Sequence, residues 1–344
     1  CLRADGSIAA WGYNNWGQCN VPAPNAGFSA VAAGSQHSLA LRDDGTIAAW
    51  GANSRGQCDL PVANADFVGI AAGTYHSLGL RADGAVVAWG YNEHGQCVVP
   101  QPNTGFVAVA AGFYHSVGLK EDGSVVVWGG NQFGQRDVPA ANADIVSISC
   151  GLLHTVALTR DGRHVQWGDG LQGQVNLPPP NADLVAVAYR GPHGIAVRSD
   201  GSLVTWGRHE YGTEAIPLPN AGYVAADALG GLSVALRSDG SIVAWGNNDS
   251  GQLSVPAPNT GYVGVAAGLR HGVGLLSDGT VRAWGDNSFG QCDVPDLGAG
   301  AVSVAAGQYH TLALTTDGAV VAWGDNRYGA CDVPTPNTGF VAIA

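Results

Sequence analysis

A Trp-Gly pair recurs at Trp11, Trp50, Trp89, Trp128, Trp167, Trp206, Trp245, Trp284 and Trp323, and every interval is 39 residues. No insertion or deletion interrupts the nine repeats, and a fixed period of this length marks units that cannot bury a core singly. Each unit reads alike: "FVAVAAG", "HSLALR", a turn such as "DDG", "TIAAWG", then a polar loop through "GQCDVP" and "PNTG". Fifty-two glycines, 17 prolines and no methionine in 344 residues predict short strands between tight turns rather than helices. Three apolar, β-rich runs per unit predict three strands. Asp-Gly stands between the second and third runs in all nine repeats, from Asp5-Gly6 to Asp317-Gly318, supplying the positive φ angles of a hairpin turn. The proline of "VP", Pro22 to Pro334, then ends strand pairing, because its φ is fixed and it lacks an N–H.

Three short strands cannot cover both of their faces, so the units must stack, as a solenoid or as blades around an axis. Blades are favoured by the small residues of "VAVAAG", suited to strands crowded near an axis, and by one Trp per unit to fill the space between sheets. The expected fold is all-β, a β-propeller of nine 39-residue, three-stranded blades, with residues 1–344 as one repeat domain. A seven-bladed ring plus extra repeats and an arc of a longer array are the alternatives. The chain opens inside a motif and without Met, and so reads as a fragment of a longer protein.

The net charge is −12, and the basic residues are Lys120 and 14 scattered arginines. Phosphate recognition needs a concentrated basic surface, so no nucleic acid is expected as partner. No apolar run approaches the ~20 residues of a membrane helix, so no membrane insertion is expected. Seven cysteines include Cys19, Cys58, Cys97, Cys292 and Cys331 at one repeat position. Bridges between blades would need Cα atoms within ~7 Å, and these five read instead as a duplicated half-buried thiol. Cys1 and Cys150 read as small core residues.

Histidine recurs at His37, His76, His115, His154, His193, His271 and His310, with Leu232 in the remaining place. Zinc needs ligands at ~2.0 to 2.1 Å, whereas equivalent residues of neighbouring blades lie ~4.8 Å or more apart. The histidines are therefore read as structural, each hydrogen-bonded to backbone near the blade end. No G-x-S-x-G, H-E-x-x-H, phosphate loop or EF-hand is present, so no catalytic residue, metal or cofactor is expected.

The string "AAGxxHSLALRxDGSIVAWG", followed by "GQxxVP", resembles the regulator of chromosome condensation repeat across essentially the whole chain. The short unit with its "GQ..VP" loop is most similar to the propeller-type β-lactamase inhibitory proteins. The resemblance implies a closed propeller, usually of seven blades, and inhibitory members that grip an enzyme through aromatic loops on one face. Guanine-nucleotide exchange, as in the chromosome condensation regulators, is an alternative that the acidic balance opposes; a propeller lyase or hydrolase is a weaker one.

Function on a repeat frame is sought where the units differ. One variable stretch precedes the histidine and carries Tyr75, Phe113, Tyr114, Arg270 and Tyr309; the other follows Trp-Gly and carries Trp16, Arg55, Glu93, His94, Phe133, Tyr211, Phe289 and Tyr328. Aromatics and arginine in loops are the residue types that dominate protein interfaces. The sequence thus predicts a monomeric, non-enzymatic, protein-binding propeller that recognises its partner through these loops, as an enzyme inhibitor or interaction module. Tyr189 to Leu232 is the one stretch where the frame breaks, by decay or as a site, and an Arg190–Asp227 charge pair is expected there.

Overall fold

The computed structural model describes the whole chain except Ala141, Asn142, Gln172, Gln174, Pro180, Arg190, Gly191, Pro192, His209, Ala344 and the side chain of Glu210. It divides into two compact units, Cys1–Gly170 and Leu171–Ala344. The first holds three-stranded sheets at 28–51, 67–90, 106–129 and 145–168, numbered 1 to 4 below; the second holds sheets 5 to 8 at 184–207, 223–246, 262–285 and 301–324. In sheet 1 the strands are Phe28–Ala33, His37–Arg42 and Ile47–Gly51, joined as an antiparallel meander. The other seven repeat this order, so eight of the expected three-stranded blades are complete among the described residues. The repeat of Trp11 contributes a short hairpin with a bridge between Leu2 and Ile8. The one helical element among the described residues is a single turn at Glu210–Gly212.

The Asp-Gly turn departs from expectation in one respect. Only its glycine takes positive φ, 77° at Gly45, and Gly45 N–H donates to Arg42 O at 3.0 Å. Asp44 acts through its side chain, with Oδ1 accepting from Thr46 N–H at 2.9 Å. This is the longer hairpin connection, in which a left-handed glycine closes the turn. The Trp-Gly glycine has a different reason. Gly51 sits at φ 104° opposite His37, where a Cβ would lie 2.6 Å from Gln36 O. In sheets 1, 2, 5, 6 and 8 an asparagine ties the sheet to its outgoing loop: Asn64 Oδ1 accepts from Ile47 N–H and its Nδ2 donates to Ile47 O, at 2.9 and 2.8 Å.

Sheets stack through the tryptophans. Trp89 of sheet 2 packs on Leu39, Leu41, Ile47 and Phe67, and Trp128 of sheet 3 packs on Leu78, Leu80, Val86 and Phe106. Seven of these indoles have a described polar anchor, a backbone carbonyl of the preceding loop. Trp89 Nε1 donates to Gln57 O at 2.9 Å, and Ser77 Oγ donates to the same carbonyl at 2.9 Å. Ser77 Oγ in turn receives His37 Nε2 at 3.0 Å. Because the hydroxyl proton is spent on Gln57 O, the imidazole must carry its own proton on Nε2. His76, Ser116, Gln96 and Trp128 repeat the relay, as do His271, Thr311, Gln291 and Trp323 in the second unit. For His37, His76, His115, His193 and His271 the partner is thus the hydroxyl of the next sheet rather than backbone. Sequence alone does not reveal this, because donor and acceptor lie 40 residues apart.

The glycine of "AAG" makes room for that ring. A Cβ on Gly268 would overlap His271 Cε1, Nδ1 and Nε2, far inside van der Waals separation. Sheet 6 changes both positions together: Leu229 and Leu232 pair directly, Gly230 turns at φ 62°, and both leucines join the apolar core.

Two outcomes follow from the relay. Gly268→Ala should destabilise the chain by about 1–3 kcal/mol, and most of that loss should vanish in a His271→Ala background. A urea double-mutant cycle measures the coupling, and strict additivity would contradict the packing account. The second concerns pH. Burial lowers the pKa of His37 and His115 to about 4 and of His76 to about 3. The unfolded chain takes up protons below its ordinary histidine pKa of about 6.5, while the folded chain does not. Stability is therefore full above that value and falls through the window from about 6.5 to about 4, by about 1.4 kcal/mol per pH unit for each histidine. Urea midpoints that stay level between pH 7 and pH 4.5 would exclude it.

Candidate functional site

The two variable stretches meet at one end of each sheet. Ala52 N–H donates to Gln36 O at 2.8 Å, Tyr91 N–H to Tyr75 O at 2.9 Å and Gly130 N–H to Tyr114 O at 2.7 Å. Neighbouring sheets are joined there as well, with Phe113 N–H donating to Leu152 O at 2.7 Å. The loop after Trp-Gly is held by the same glutamine that anchors the next indole. Its buried side chain points back, and Gln57 Oε1 accepts from Arg55 N–H at 2.9 Å and Gln96 Oε1 from His94 N–H at 3.0 Å. Trp16, Phe133 and Phe289 are fixed identically by Gln18, Gln135 and Gln291. The variable residue therefore stands on a rigid backbone whatever its side chain.

In the first unit six of the expected residues come together around one that the sequence reading passed over, Tyr91. Its ring lies 6.2 Å from Tyr75, 5.9 Å from His94 and 6.0 Å from Tyr114, centroid to centroid. His94 packs 4.4 Å from Tyr114, and Phe113 lies 4.1 Å from Tyr114 and 5.8 Å from Tyr75. The Arg55 guanidinium covers Tyr91 at 5.2 Å and reaches Glu93 at 3.8 Å. The Tyr91 hydroxyl donates to Glu93 Oε2 at 3.0 Å. Partial desolvation, and then that bond, raise the phenol's pKa, so it remains a donor at neutral pH. These rings are half-buried against each other. They form a preorganised patch rather than a set of loose side chains. The sequence offers one signal for Tyr91, an aromatic directly after Trp-Gly where Ala52 and Gly130 stand in the neighbouring repeats, and Tyr13 shares it.

A smaller group occupies the second unit. Phe289 lies 5.3 Å from Tyr309, and Arg327 stacks on Phe289 at 4.5 Å. Arg327 also holds Asp325 at 2.6 Å, which pulls that carboxyl down to about 2. Tyr328 and Arg270 are exposed beside these loops' backbone. Trp16 is 50% and Tyr211 60% exposed, and Phe133 is also exposed; no ring stacking joins these three to either group among the described contacts. Tyr211 has φ 64°, and its ring covers Gly231, where a Cβ would lie 2.7 Å from Cδ2.

The thiols sit apart from this chemistry. Cys58 Sγ donates to Ala52 O at 3.3 Å and Cys97 Sγ to Tyr91 O at 3.3 Å. Burial pushes both to about 11 and Cys292 to about 12, so they are weak nucleophiles. Cys150 is likewise pushed up to about 12 by burial, whereas Cys1 is exposed, against its expected place in the core. In the irregular stretch, Arg190 lies outside the described residues, so its pairing with Asp227 does too. Asp227 Oδ2 accepts from Ala267 N–H of sheet 7 at 2.9 Å.

A comparison with curated proteins gave no match. Among solved structures, Prp20p from Saccharomyces cerevisiae is similar at a TM-score of 0.51 and 20% identity, over 86% of this chain and 88% of that one. The ectodomain of the Physcomitrella patens receptor kinase CR4 gives 0.49 at 18% identity, over 86% and 74%. Yeast Prp20 bound to Kap60 gives 0.48 at 19% identity, over 96% and 81%. The first of these likenesses shows the fold. The regulator of chromosome condensation (RCC1) repeat matches residues 28–57, 67–96, 106–135, 145–174, 233–252, 262–291 and 301–330, leaving out the irregular stretch. These segments make up more than half of the chain, which therefore belongs to the RCC1 repeat family.

Proposed function

We propose that the chain is a non-enzymatic, protein-binding propeller that recognises its partner through the aromatic loop patch centred on Tyr91. The observation that carries this reading is the packing of Tyr75, Tyr91, His94, Phe113 and Tyr114 into one group on a fixed backbone, with Arg55 and Glu93 at its edge. Rigid aromatics bury large area on binding at small entropic cost, and arginine and tyrosine are over-represented among residues that dominate interface energies. The Arg55–Glu93 pair is exposed and adds little stability, so it is free to exchange partners. Relatives support the class of ligand: the solved structure of Prp20p was described with binding to Gsp1p and histones, and Prp20 was also solved bound to Kap60. An enzyme held in inhibited form is one such partner, and the inhibitory propellers this repeat resembles make it the first to screen.

Tyr91→Ala and Tyr114→Ala should each weaken a captured partner by about 2 kcal/mol, roughly 30-fold, and leave the melting temperature within a degree or two. Affinity chromatography on the chain, then calorimetry with the protein recovered, makes the measurement. Full affinity in both variants would refute the reading.

A further inference from the structure

The strand ends opposite the aromatic patch carry a separate feature. Every first strand has a bulge after its opening residue, as between Phe67 and Gly69 in sheet 2, and the bulged residue faces outward. In sheets 2, 3 and 4 that residue is Val68, Val107 and Val146, exposed by 57, 48 and 44%. Single exposed valines are ordinary, but these first strands are packed side by side, so the three form a row. Ser29 holds this place in sheet 1, and exposed valines hold it in sheets 5 to 8 of the second unit, where the acids that rim this row are not repeated in full.

The row is rimmed by acids. Asp66 and Asp144 precede their strands with φ 62° and 58°, and Asp43, Asp44, Glu121 and Asp122 stand exposed in the adjoining turns. A cleft of about 490 Å³ has Leu41, Phe67 and Val68 as its apolar wall and Asp43, Asp44 and Asp66 as its acidic wall. Arg42 closes one side of that cleft, Arg160 stands exposed in the turn beside Asp144, and the stems of the other cations bend toward backbone carbonyls. Arg42 donates to Ala26 O and covers Phe28, Arg81 donates to Ala63 O, and Lys120 donates to Pro102 O.

We propose that this end of the first unit is a second docking surface, and that it takes a basic amphipathic segment of a partner protein. The apolar row selects a segment with an apolar stripe, and the carboxylates select lysine or arginine beside it. A second copy would bring an equal acidic rim against this one, and like charges oppose it. A six-residue strand separates the two ends of a sheet by ~20 Å, so both surfaces can be filled at once.

The test uses an 18-residue amphipathic peptide of leucine and lysine, labelled for fluorescence anisotropy, and the same peptide with glutamate for lysine. The whole chain should bind the lysine peptide and not the glutamate one. Val68→Ser with Val107→Ser and Val146→Ser should weaken binding at least tenfold, as should Asp66→Asn with Glu121→Gln and Asp144→Asn. The asparagines suit the left-handed positions, so the second variant retains the turns if the first unfolds. Tyr91→Ala should bind the peptide unchanged. Equal binding of both peptides, full affinity in the two triple variants, or loss in Tyr91→Ala would each overturn the proposal. So would a concentration-dependent dimer in sedimentation that the serine variant abolishes, which would assign the surface to self-association.

Discussion

One backbone carbonyl per repeat governs how the sheets meet. Gln57 O receives the Trp89 indole N–H and the Ser77 hydroxyl, both from the following sheet, while the side chain of the same residue holds Arg55 in its loop. An indole without a partner would be expensive in so dry a place, so the stacking of apolar surface is coupled to the position of one loop. That loop therefore cannot drift without loosening a tryptophan. Its rigidity in the aromatic patch is a by-product of how the core is closed.

The coupling divides the repeat into two kinds of position. Gly73, His76, Ser77, Trp89, Gly90 and Gln96 each have a contact that fixes residue type, and they recur for that reason. Asn92 belongs to the first kind as well, since its Oδ1 holds Cys97 N–H, whereas Tyr75, Tyr91, Glu93 and His94 sit on backbone already held by others. They can change without cost to stacking, which is the condition under which a binding surface can diversify on a fixed scaffold.

Much of this was legible beforehand. The 39-residue period, three strands per unit, the tryptophan between sheets and the shared end of the two variable stretches all follow from apolar alternation and turn residues. What escaped did so for a physical reason. The histidine's partner lies 40 residues on, and no local pattern links a ring nitrogen to a hydroxyl across a sheet interface. Tyr91 does not stand out in the sequence, because Tyr13 also follows a Trp-Gly, and its ring is central only by virtue of three-dimensional neighbours. The valine row was hidden because both faces of these first strands carry apolar residues, and which of them is left uncovered is set by the stacking of neighbouring sheets.

Repetition of one interface also raises a problem of order. If every tryptophan fits every preceding sheet, a chain collapsing from solvent can pair the wrong neighbours and gain nearly the same energy. Sheet 6 is the exception. Its leucine pair replaces the glycine and histidine, and Asp227, standing where the other first strands carry alanine or serine, reaches across to the Ala267 N–H of the following sheet. An irregular repeat of this kind is a landmark on an otherwise uniform ruler: it gives the array a single correct alignment from which the remaining joints can be counted.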